Sequence, residues 1–331
     1  MRKMKAAVIG LGSWGECHLE AFRSLPQVEI AAICDNREDR LNEMGNKFGV
    51  ERRYTNYEQL MEQTDIDLVN VATFEKGHLR PTLLALQSGK HVLVEKPITT
   101  DVVEAHDMYR MAQQCGKQVI PGHLLRFDPR YAELKSAIQN GSFGQVASMF
   151  FKRSRQKSLF ATYSRTHTVY ELTVHDLDLA VWYAGSKVKS VRAYAQHLSE
   201  NAAPESLWAN LTFENGMFAV LHSNWLTPDK AGVEIFDSVE VSGSEGKAHF
   251  ETSNAGLHLW NEEGSLSKEF FIHHQRNGHT YGALRDQLDY ISNCILNGTG
   301  FEYVSFADAV HVIEIADAIV KSAESGQDIF L

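Results

Sequence analysis

A chain of 331 residues with 44% apolar and 22% charged residues is long enough for two globular domains with substantial cores. Its net charge of -10 argues against a general nucleic-acid or anionic-membrane surface. The four cysteines are scattered without a CxxC pair, so the sequence predicts neither a zinc site nor a disulfide framework, and we expect no metal. Few cysteines, no signal-like start and no apolar window of membrane length indicate a cytoplasmic protein.

The first part of the chain alternates strand-like and helix-like segments. The predicted strands are residues 5–9, 28–34, 68–72, 91–94 and 119–120, and the predicted helices are residues 17–24, 41–48, 57–63, 78–88 and 102–115. Thr55 or Asn56 can cap the third helix, and Asp101 and Glu104 have capping-box spacing at the fifth. The alternation predicts a complete dinucleotide-binding sheet, and therefore an N-terminal Rossmann domain over residues 1–122.

A glycine motif joins the first strand to the first helix. Gly10, Gly12 and Gly15 have the G-x-G-x-x-G spacing. Gly10 permits a tight turn, Gly12 lets the backbone approach a pyrophosphate, and Gly15 lets helix and strand pack closely. Ser13 and Trp14 lie between them, where a helix N-terminus offers free N–H groups to phosphates. The motif therefore predicts a bound dinucleotide.

An acidic residue ends the second strand. Asp35 lies about 20 residues beyond the glycines, where a carboxylate can hydrogen-bond both ribose hydroxyls of the adenosine half. The same carboxylate repels the 2′-phosphate of NADP, so NAD is the predicted cofactor. Arg37 could offset part of this repulsion, which keeps NADP as an alternative. A doubly wound domain that binds another nucleotide, or none, explains the same pattern.

A lysine follows the fourth predicted strand. Residues 91–94 predict a buried strand, which Glu95, Lys96 and Pro97 end. In an open parallel sheet, ligands bind beyond the carboxyl ends of the strands, so Lys96 is expected to point at a ligand. Pro97 restricts Lys96 to an extended conformation, and the bond between them can be cis. An ordinary surface turn explains this stretch equally well.

Residues 123–331 are predicted to form an α+β domain. The predicted helices are residues 130–140, 169–184, 281–296 and 306–325. Residues 278–281 are predicted to open the third of these helices. The predicted strands are residues 145–152, 187–197, 206–213, 217–225, 233–242, 247–251, 256–260 and 267–272. Asn215 and Gly216 indicate a tight hairpin. The strands predict a large open, mainly antiparallel sheet with helices 130–140 and 169–184 on one face. Its other face is left for a homodimer or homotetramer contact.

Residues 153–168 are polar, basic and aromatic, with no clear period. Arg153, Arg155, Lys157 and Arg165 stand there in an otherwise acidic chain. Such a loop could bind a phosphorylated or carboxylated substrate. A solvated surface loop is the simpler interpretation.

A histidine with acidic neighbours stands in the second predicted helix of this domain. Glu171, His175 and Asp178 have i, i+4 and i+7 spacing and share one helix face. One carboxylate can fix the ring tautomer while the other ring nitrogen exchanges a substrate proton, so the pattern suits acid–base catalysis. A histidine that makes a buried hydrogen bond is the structural alternative.

These features together resemble the Gfo/Idh/MocA family, the oxidoreductases related to glucose–fructose oxidoreductase and inositol dehydrogenase. The resemblance rests on the glycine motif, on Asp35, on Val71-Ala72-Thr73 with His78 behind them, and on the run Gly89-Lys90-His91-Val92-Leu93-Val94-Glu95-Lys96-Pro97. The last run is specific, whereas the glycine motif is shared with many enzymes. Phe74 and Glu75 stand where the family usually has Pro-Asn.

The resemblance implies an NAD(P)-dependent dehydrogenase that interconverts a secondary alcohol and a ketone on a sugar, sugar derivative or cyclitol substrate. In the family the motif lysine contacts the nicotinamide ribose and the reacting hydroxyl, which implies that role for Lys96. His175 would exchange the hydroxyl proton, oriented by Glu171 or Asp178. The substrate would contact Lys96, His175, Asp178 and Arg126.

The resemblance also implies further cofactor contacts. Ala72, Thr73, His78 and Glu95 fall within its cofactor-binding motifs. Arg126 stands in a segment similar to the family's Gly-x-x-x-Arg-Phe-x-Pro junction, where the arginine lies near cofactor and substrate. A structural arginine that ties two domains together is the alternative for Arg126.

Two other functions stay open. Some relatives reduce a nucleotide sugar or a non-carbohydrate acceptor with different acid groups. Others have lost turnover, which would make this protein a non-catalytic regulator that senses NAD. The Lys96 and His175 pair argues against the regulator.

Overall fold

The computed structural model describes residues 2–233, 235–254, 257–261 and 264–331. The chain forms two compact units. One comprises the chain up to Asp128 together with Phe271–Val310, and the other comprises Pro129–Phe270 together with His311–Leu331. The division into residues 1–122 and 123–331 stays a prediction. The units differ from it chiefly because residues 271–310 group with the N-terminal residues.

The described elements alternate along the chain as follows. The helices are α1 (Ser13–Arg23), α2 (Glu38–Phe48), α3 (Tyr57–Met61), α4 (Leu79–Gln87), α5 (Val102–Cys115), α6 (Pro129–Gln139), α7 (Lys157–Tyr163), α8 (Val174–Ala184), α9 (Ala283–Asn297) and α10 (Phe306–Ser325). The strands are β1 (Met4–Ile9), β2 (Val28–Cys34), β3 (Arg53–Tyr54), β4 (Leu68–Val71), β5 (His91–Val94), β6 (Val119–Pro121), β7 (Val146–Gln156), β8 (Val188–Gln196), β9 (Ser206–Phe213), β10 (Phe218–Thr227), β11 (Ile235–Gly243), β12 (Lys247–Glu251), β13 (Leu257–Asn261), β14 (Gly264–Lys268), β15 (His274–Arg276), β16 (His279–Tyr281) and β17 (Ile329–Phe330).

A six-stranded parallel sheet organises the first unit. Its order is β3-β2-β1-β4-β5-β6, and each neighbouring pair is parallel. This is the order of a dinucleotide-binding sheet, in which ligands bind where the strand order reverses. The predicted Rossmann sheet is therefore present, with six strands. Its edge strand β3 has only two residues, and the sequence pattern predicts no strand there.

Both predicted helix caps are present, but the second lacks the predicted capping box. Asn56 caps α3, because its side chain accepts from the Glu58 N–H. Asp101 caps α5 by accepting from the N–H groups of Val103 and Glu104. Glu104 does not complete the capping box: its carboxylate accepts from the Thr99 hydroxyl instead.

Helix α9 packs in the core of the first unit. Leu284, Leu288 and Ile291 belong to the same buried cluster as residues of β1 and α1. The Gln287 side chain donates to the Pro121 carbonyl at the end of β6, at 3.2 Å. A helix that comes late in the sequence therefore covers the N-terminal sheet.

A seven-stranded sheet organises the second unit. Its order is β12-β11-β7-β10-β9-β8-β17, and of the described pairs only β7 with β10 is parallel. Along β9, Leu207, Ala209 and Leu211 are buried while Trp208 and Asn210 are exposed, so the sheet has one covered and one open face. The large open, mainly antiparallel sheet is as predicted. The hairpin between β9 and β10 also forms where it was predicted.

Several second-half predictions need correction. Strands β13 and β14 pair with each other apart from the large sheet. The predicted strand 267–272 is wrong beyond residue 268, where β14 ends. Residues 278–281 do not open a helix, because they belong to the hairpin of β15 and β16. The predicted strands 233–242 and 256–260 include Glu234 and Gly256, which lie outside the described residues.

The basic segment is not one surface loop, although its Lys157 and Arg165 are exposed. Strand β7 continues through Gln156, and α7 follows at once. Arg153 is only 2% exposed, so neither a solvated loop nor a free anion-binding loop describes it. The predicted helix 169–184 also differs: it opens with one π-helical turn, Val169–Thr173, before α8. Within the described part of the chain, no helix has both the length and the apolar character needed to cross a membrane.

Candidate cofactor and active site

The three motif glycines have different surroundings. A Cβ on Gly10 would lie 2.6 Å from the Ala72 carbonyl oxygen, and one on Gly15 would lie 2.0 Å from the Gly10 oxygen. These two glycines are required for close packing. A Cβ on Gly12 would meet nothing within 4 Å, and both Gly12 and Ser13 are exposed. Gly12 thus borders open space at the start of α1, as a pyrophosphate site requires.

Asp35 ties the glycine loop to the end of β2. Its Oδ2 accepts from the Leu11 N–H at 2.8 Å, and its Oδ1 accepts from the Arg37 N–H at 2.9 Å and from Nε of Arg37 at 3.2 Å. Burial alone would raise the pKa of Asp35, but these backbone N–H groups and the Arg37 guanidinium lower it below its ordinary value. An ionised acid at this position suits the ribose hydroxyls of NAD, so the residues present fit this cofactor.

Arg40 supports the same loop and has no clear signal in the sequence. Its Nε donates to the Leu11 carbonyl at 2.6 Å, and its guanidinium also pairs with Glu16 and Glu43. An arginine inside α2 resembles any surface arginine until the fold places Leu11 beside it. Arg40 therefore joins Asp35 in holding the loop, from the other side of Leu11.

Lys96 follows directly after β5 and is half-buried. Its N–H donates to Oε2 of Glu95 at 3.0 Å, while Oε1 of Glu95 accepts from Nε2 of His18 at 2.7 Å. His18 and Glu95 are both buried. Burial would raise the pKa of Glu95, but the His18 hydrogen bond and the Lys96 ammonium lower it. A buried carboxylate thus fixes the backbone at Lys96, and His18 is a part of this support that the sequence pattern did not predict.

Gly122 makes room for this carboxylate. A Cβ there would lie 2.9 Å from Cα, Cδ and Oε2 of Glu95. Its N–H donates to the Val94 carbonyl at 2.7 Å, which joins the ends of β5 and β6. The support of Lys96 therefore involves α1, β5 and the residue after β6.

His78 contacts the backbone on the Pro97 side of Lys96. Its Nδ1 lies 2.9 Å from the Pro97 carbonyl oxygen, and its Nε2 lies 2.9 Å from the Thr73 carbonyl oxygen. The Lys96–Pro97 peptide bond is cis. His78 is buried, so its described contacts shape the two loops that carry Thr73 and Pro97. Direct cofactor contact by Ala72, Thr73, His78 and Glu95 stays a prediction.

The predicted acid–base residues belong to the second unit. His175 is half-buried in the first turn of α8, and Glu171 and Asp178 are buried. Glu171 stands in the π-helical turn, which is wider than an α-helical turn, so its offset from His175 differs from the α-helical i, i+4 spacing. Arg165 lies 3.7 Å from Glu171. The two acids thus flank the histidine in sequence, but only Asp178 shares the α-helix with it.

Arg126 is buried within the first unit. Its guanidinium donates to the Tyr303 carbonyl at 3.3 Å and to Asp308 at 3.4 Å, and the Tyr303 hydroxyl donates back to the Arg126 carbonyl at 2.7 Å. These contacts join Arg126 to Tyr303, just before α10, and to Asp308 in the first turn of α10. They lie within the first unit, so they do not test an arginine that ties two domains together, and a role in binding cofactor or substrate stays a prediction.

One cluster of the described residues has metal-ligand chemistry. Ligand atoms of Cys17, Glu20 and His273 lie within 4.8 Å of one another. Burial and the nearby carboxylates of Glu20 and Glu16 raise the pKa of the Cys17 thiol to about 11. A metal binds the thiolate, so binding at this cluster would have to release the Cys17 proton.

Two family models match the chain. The model described as "Oxidoreductase family, NAD-binding Rossmann fold" matches residues 4–123, and that of the GFO/IDH/MocA C-terminal domain matches residues 131–249. Together they cover the six-stranded sheet and strands β7 to β11 of the seven-stranded sheet. They confirm the predicted fold class, NAD as the cofactor and a dehydrogenase as the class of enzyme.

Named relatives agree with the family models. Myo-inositol 2-dehydrogenase of Thermotoga maritima is 26% identical over 83% of this chain and 85% of its own. D-apiose dehydrogenase of Paraburkholderia graminis is 26% identical over 80% of this chain and 72% of its own. The crystal structure of myo-inositol 2-dehydrogenase from Lactobacillus plantarum, 21% identical, superimposes with a TM-score of 0.86 over the full length of both chains, which supports the fold. The chain therefore belongs to the GFO/IDH/MocA family of oxidoreductases with an NAD-binding Rossmann fold.

Proposed function

We propose that this enzyme reversibly oxidises a secondary alcohol of a sugar, a sugar derivative or a cyclitol to the ketone. Two relatives that match 80% or more of the chain are named for inositol and apiose, which supports this substrate class. Bound NAD supplies the hydride acceptor. The observation that carries the proposal is the placement of Lys96 at the carboxyl end of β5, at the same edge of the parallel sheet as the glycine loop that follows β1.

Lys96 is the proposed electrostatic group. Glu95 fixes the backbone before it, and His78 contacts the carbonyl of the residue after it. A lysine held in this way can direct its ammonium at the substrate hydroxyl without reorganising during the reaction. As the hydroxyl loses its proton, the cation stabilises the negative charge that develops on the oxygen.

His175 is the proposed base. In its neutral form the imidazole takes the hydroxyl proton, and in the reverse reaction it returns it. Glu171 or Asp178 orients the ring. General acid–base catalysis of this kind contributes typically about 10²–10⁴-fold to the rate. We also propose that Asp178 and Arg126 contribute to binding the substrate, directly or by shaping its site.

The open face of the large sheet is the proposed contact in a homodimer or homotetramer. Tyr194, Trp208 and Phe218 are large side chains exposed on this face. Trp208 stacks on the His222 ring with centroids 4.0 Å apart. Exposed aromatic residues on one sheet face are typical of a surface that another subunit covers. Sedimentation equilibrium measures the assembly directly.

A substrate screen tests the function. Calorimetry with NAD⁺, NADH, NADP⁺ and NADPH comes first. The formation of reduced nicotinamide is then followed with myo-inositol, scyllo-inositol, sugars and sugar phosphates. We expect tighter binding of NAD(H) and turnover of at least one cyclitol or sugar. Tight NAD binding with no turnover on this panel would favour a nucleotide-sugar or non-carbohydrate reductase, or an NAD-sensing regulator, none of which the named relatives favour.

Three variants test the residue roles. His175→Ala and Lys96→Ala should each lower kcat at least about 100-fold, because each removes a group that acts in the transition state. His175→Ala should keep the parent's affinity for NADH, whereas Lys96→Ala should weaken it, because the proposed role of Lys96 includes a contact with the nicotinamide ribose. His279→Ala is the control, since His279 is an exposed histidine outside the proposed site. A near-parent kcat for His175→Ala would refute His175 as the base.

A further inference from the structure

Two arginines of the basic segment lie under the helix that carries His175. Arg153 and Arg155 stand two residues apart on β7, so both side chains leave the sheet on the same face. Asp237 of β11 is the register partner of Arg153 across the antiparallel pair. Asp176, the residue after His175, completes the group from α8. We refer to these four residues as the buried ion network.

The contacts within the buried ion network are specific. Arg153 donates to both oxygens of Asp176, from Nη2 at 2.7 Å and from Nε at 3.2 Å. Its remaining amino group, Nη1, donates to Asp237 at 2.6 Å. Arg155 donates to the same Asp237 at 2.6 and 3.3 Å. Arg153 therefore holds Asp176 with a two-pronged contact, while Arg155 contacts Asp237.

Burying these charged groups costs free energy unless each charge is paired with an opposite one. Arg153, Asp176 and Asp237 are nearly inaccessible to solvent, and two guanidinium groups balance two carboxylates. Burial would raise the pKa of Asp237, but Arg153 and Arg155 lower it below its ordinary value. For Asp176, burial raises the pKa against the opposing effect of Arg153. Because apolar side chains often hold a helix on a sheet at lower cost than a buried ion pair, the orientation of the helix is the role to test for this network.

The orientation of the helix matters at this point in the chain, because the helix carries His175. The helix that carries His175 begins after a π-helical turn, which breaks the α-helical hydrogen-bond pattern just before the histidine. One further tie supports this start: the Thr173 hydroxyl donates to the Ser223 hydroxyl on β10 at 2.9 Å. The Arg153 contact acts at Asp176, one residue beyond His175. It fixes both the rotation of the first turn and its distance from the sheet.

We propose that Arg153 is a positioning residue for the reaction, because its two-pronged contact with Asp176 fixes the orientation from which His175 takes the substrate proton. This proposal rests on the proposed function of His175. It assigns a purpose to the buried arginine of the basic segment other than substrate recognition. A misplacement of about 1 Å can cost about 100-fold in rate, so loss of the contact should appear in kcat.

Arg153→Lys is the test variant and Arg155→Lys is its matched control. Both make the same chemical change on the same strand and in the same network, but only Arg153 contacts Asp176. A lysine keeps the charge and loses the planar fork. With myo-inositol, or the panel sugar that the parent oxidises fastest, Arg153→Lys should lower kcat about 10- to 100-fold. Its KM for substrate and its affinity for NADH should stay within about threefold.

Two further measurements separate positioning from folding. In a His175→Ala background, Arg153→Lys should cost no further turnover, since no base remains to be misplaced. The ring resonances of His175, assigned by their loss in His175→Ala, should move in Arg153→Lys and stay in place in Arg155→Lys. If Arg153→Lys does not fold, Asp176→Asn serves instead, because it keeps the side-chain shape and one acceptor oxygen.

The outcomes are distinct. A low kcat for His175→Ala with a parent-like kcat for Arg153→Lys would overturn the positioning role alone. Equal losses of thermal stability in both arginine variants, with unchanged kcat per folded molecule and unmoved His175 resonances, would show a purely structural network. A parent-like kcat for His175→Ala would overturn the proposed function and the positioning role together.

Discussion

The open space at Gly12 leads to a sharp prediction about the cofactor. Gly12 has φ -61° and ψ -173°, a conformation that alanine adopts without strain. A Cβ there meets no protein atom within 4 Å. Gly12→Ala should therefore fold like the parent, or be more stable by about 0.4–1 kcal/mol through a less flexible unfolded chain. The added methyl group would instead occupy space that the pyrophosphate is expected to need.

The expected loss of affinity follows from the cost of overpacking. One extra methyl group in a close contact costs about 1–3 kcal/mol. Paid on binding, this corresponds to about a 5- to 150-fold rise in the Kd for NAD⁺. Gly15→Ala is the matched comparison, because its Cβ would lie 2.0 Å from the Gly10 oxygen. That variant should lose about 1–3 kcal/mol of folding stability even without cofactor.

Urea unfolding without cofactor and NAD⁺ calorimetry measure the two effects separately. The expected pattern is a stable Gly12→Ala that binds NAD⁺ weakly and a Gly15→Ala that is unstable before any ligand is added. A Gly12→Ala variant with the parent's Kd would refute the assignment of this space to the pyrophosphate. An equally stable Gly15→Ala would show that the loop relaxes more easily than its close packing indicates.

Two further predictions concern charge. Asp35→Asn removes the carboxylate that repels a 2′-phosphate, so calorimetry should show a smaller ratio of the NADP⁺ to the NAD⁺ dissociation constant; an unchanged ratio would assign the preference elsewhere. Burial, with a smaller effect of His197, lowers the pKa of His167 to about 4, whereas an unfolded histidine titrates near about 6.5. The unfolded chain takes up this proton first, so the contribution of His167 to the free energy of unfolding should fall as the pH drops from about 6.5 towards 4. His167→Asn keeps an acceptor for the Val169 N–H and should reduce this loss in urea titrations at several pH values; a parent-like slope would contradict the cause.

Local patterns were sufficient for most of the first unit. Gly10 needs its positive φ of 90°, and glycine is the residue that adopts it without cost. Hydrophobic periodicity and the residues that end each strand predicted the strands before and after the glycine motif. The same signals placed Asp35 at the end of β2 and Lys96 at the end of β5. Because the carboxyl ends of parallel strands meet at one edge of a sheet, these local signals also implied one ligand site.

Local patterns failed where the partner of a residue lies far along the chain. Arg153 shares one face of β7 with the buried Met149 and Phe151, but its charge favoured a solvent-exposed interpretation. The π-helical turn before α8 changed the offset of Glu171 from His175, although the α-helical spacing in the sequence is regular. The hairpin of β15 and β16 replaced a predicted helix start, because it pairs strands that are too short to show a period.

The sequence by itself determined the Rossmann sheet, the glycine loop and the position of the lysine, because φ restrictions and hydrophobic period act over a few neighbouring residues. Tertiary structure decided how these groups are supported. It placed Glu95 between His18 and the Lys96 N–H, packed α9 on the N-terminal sheet, and buried Arg153 against Asp176. The neighbouring sequence looks the same whether a charged side chain is exposed to water or buried in an ion pair. The residue that the fold brings opposite the charge determines whether it is exposed or buried.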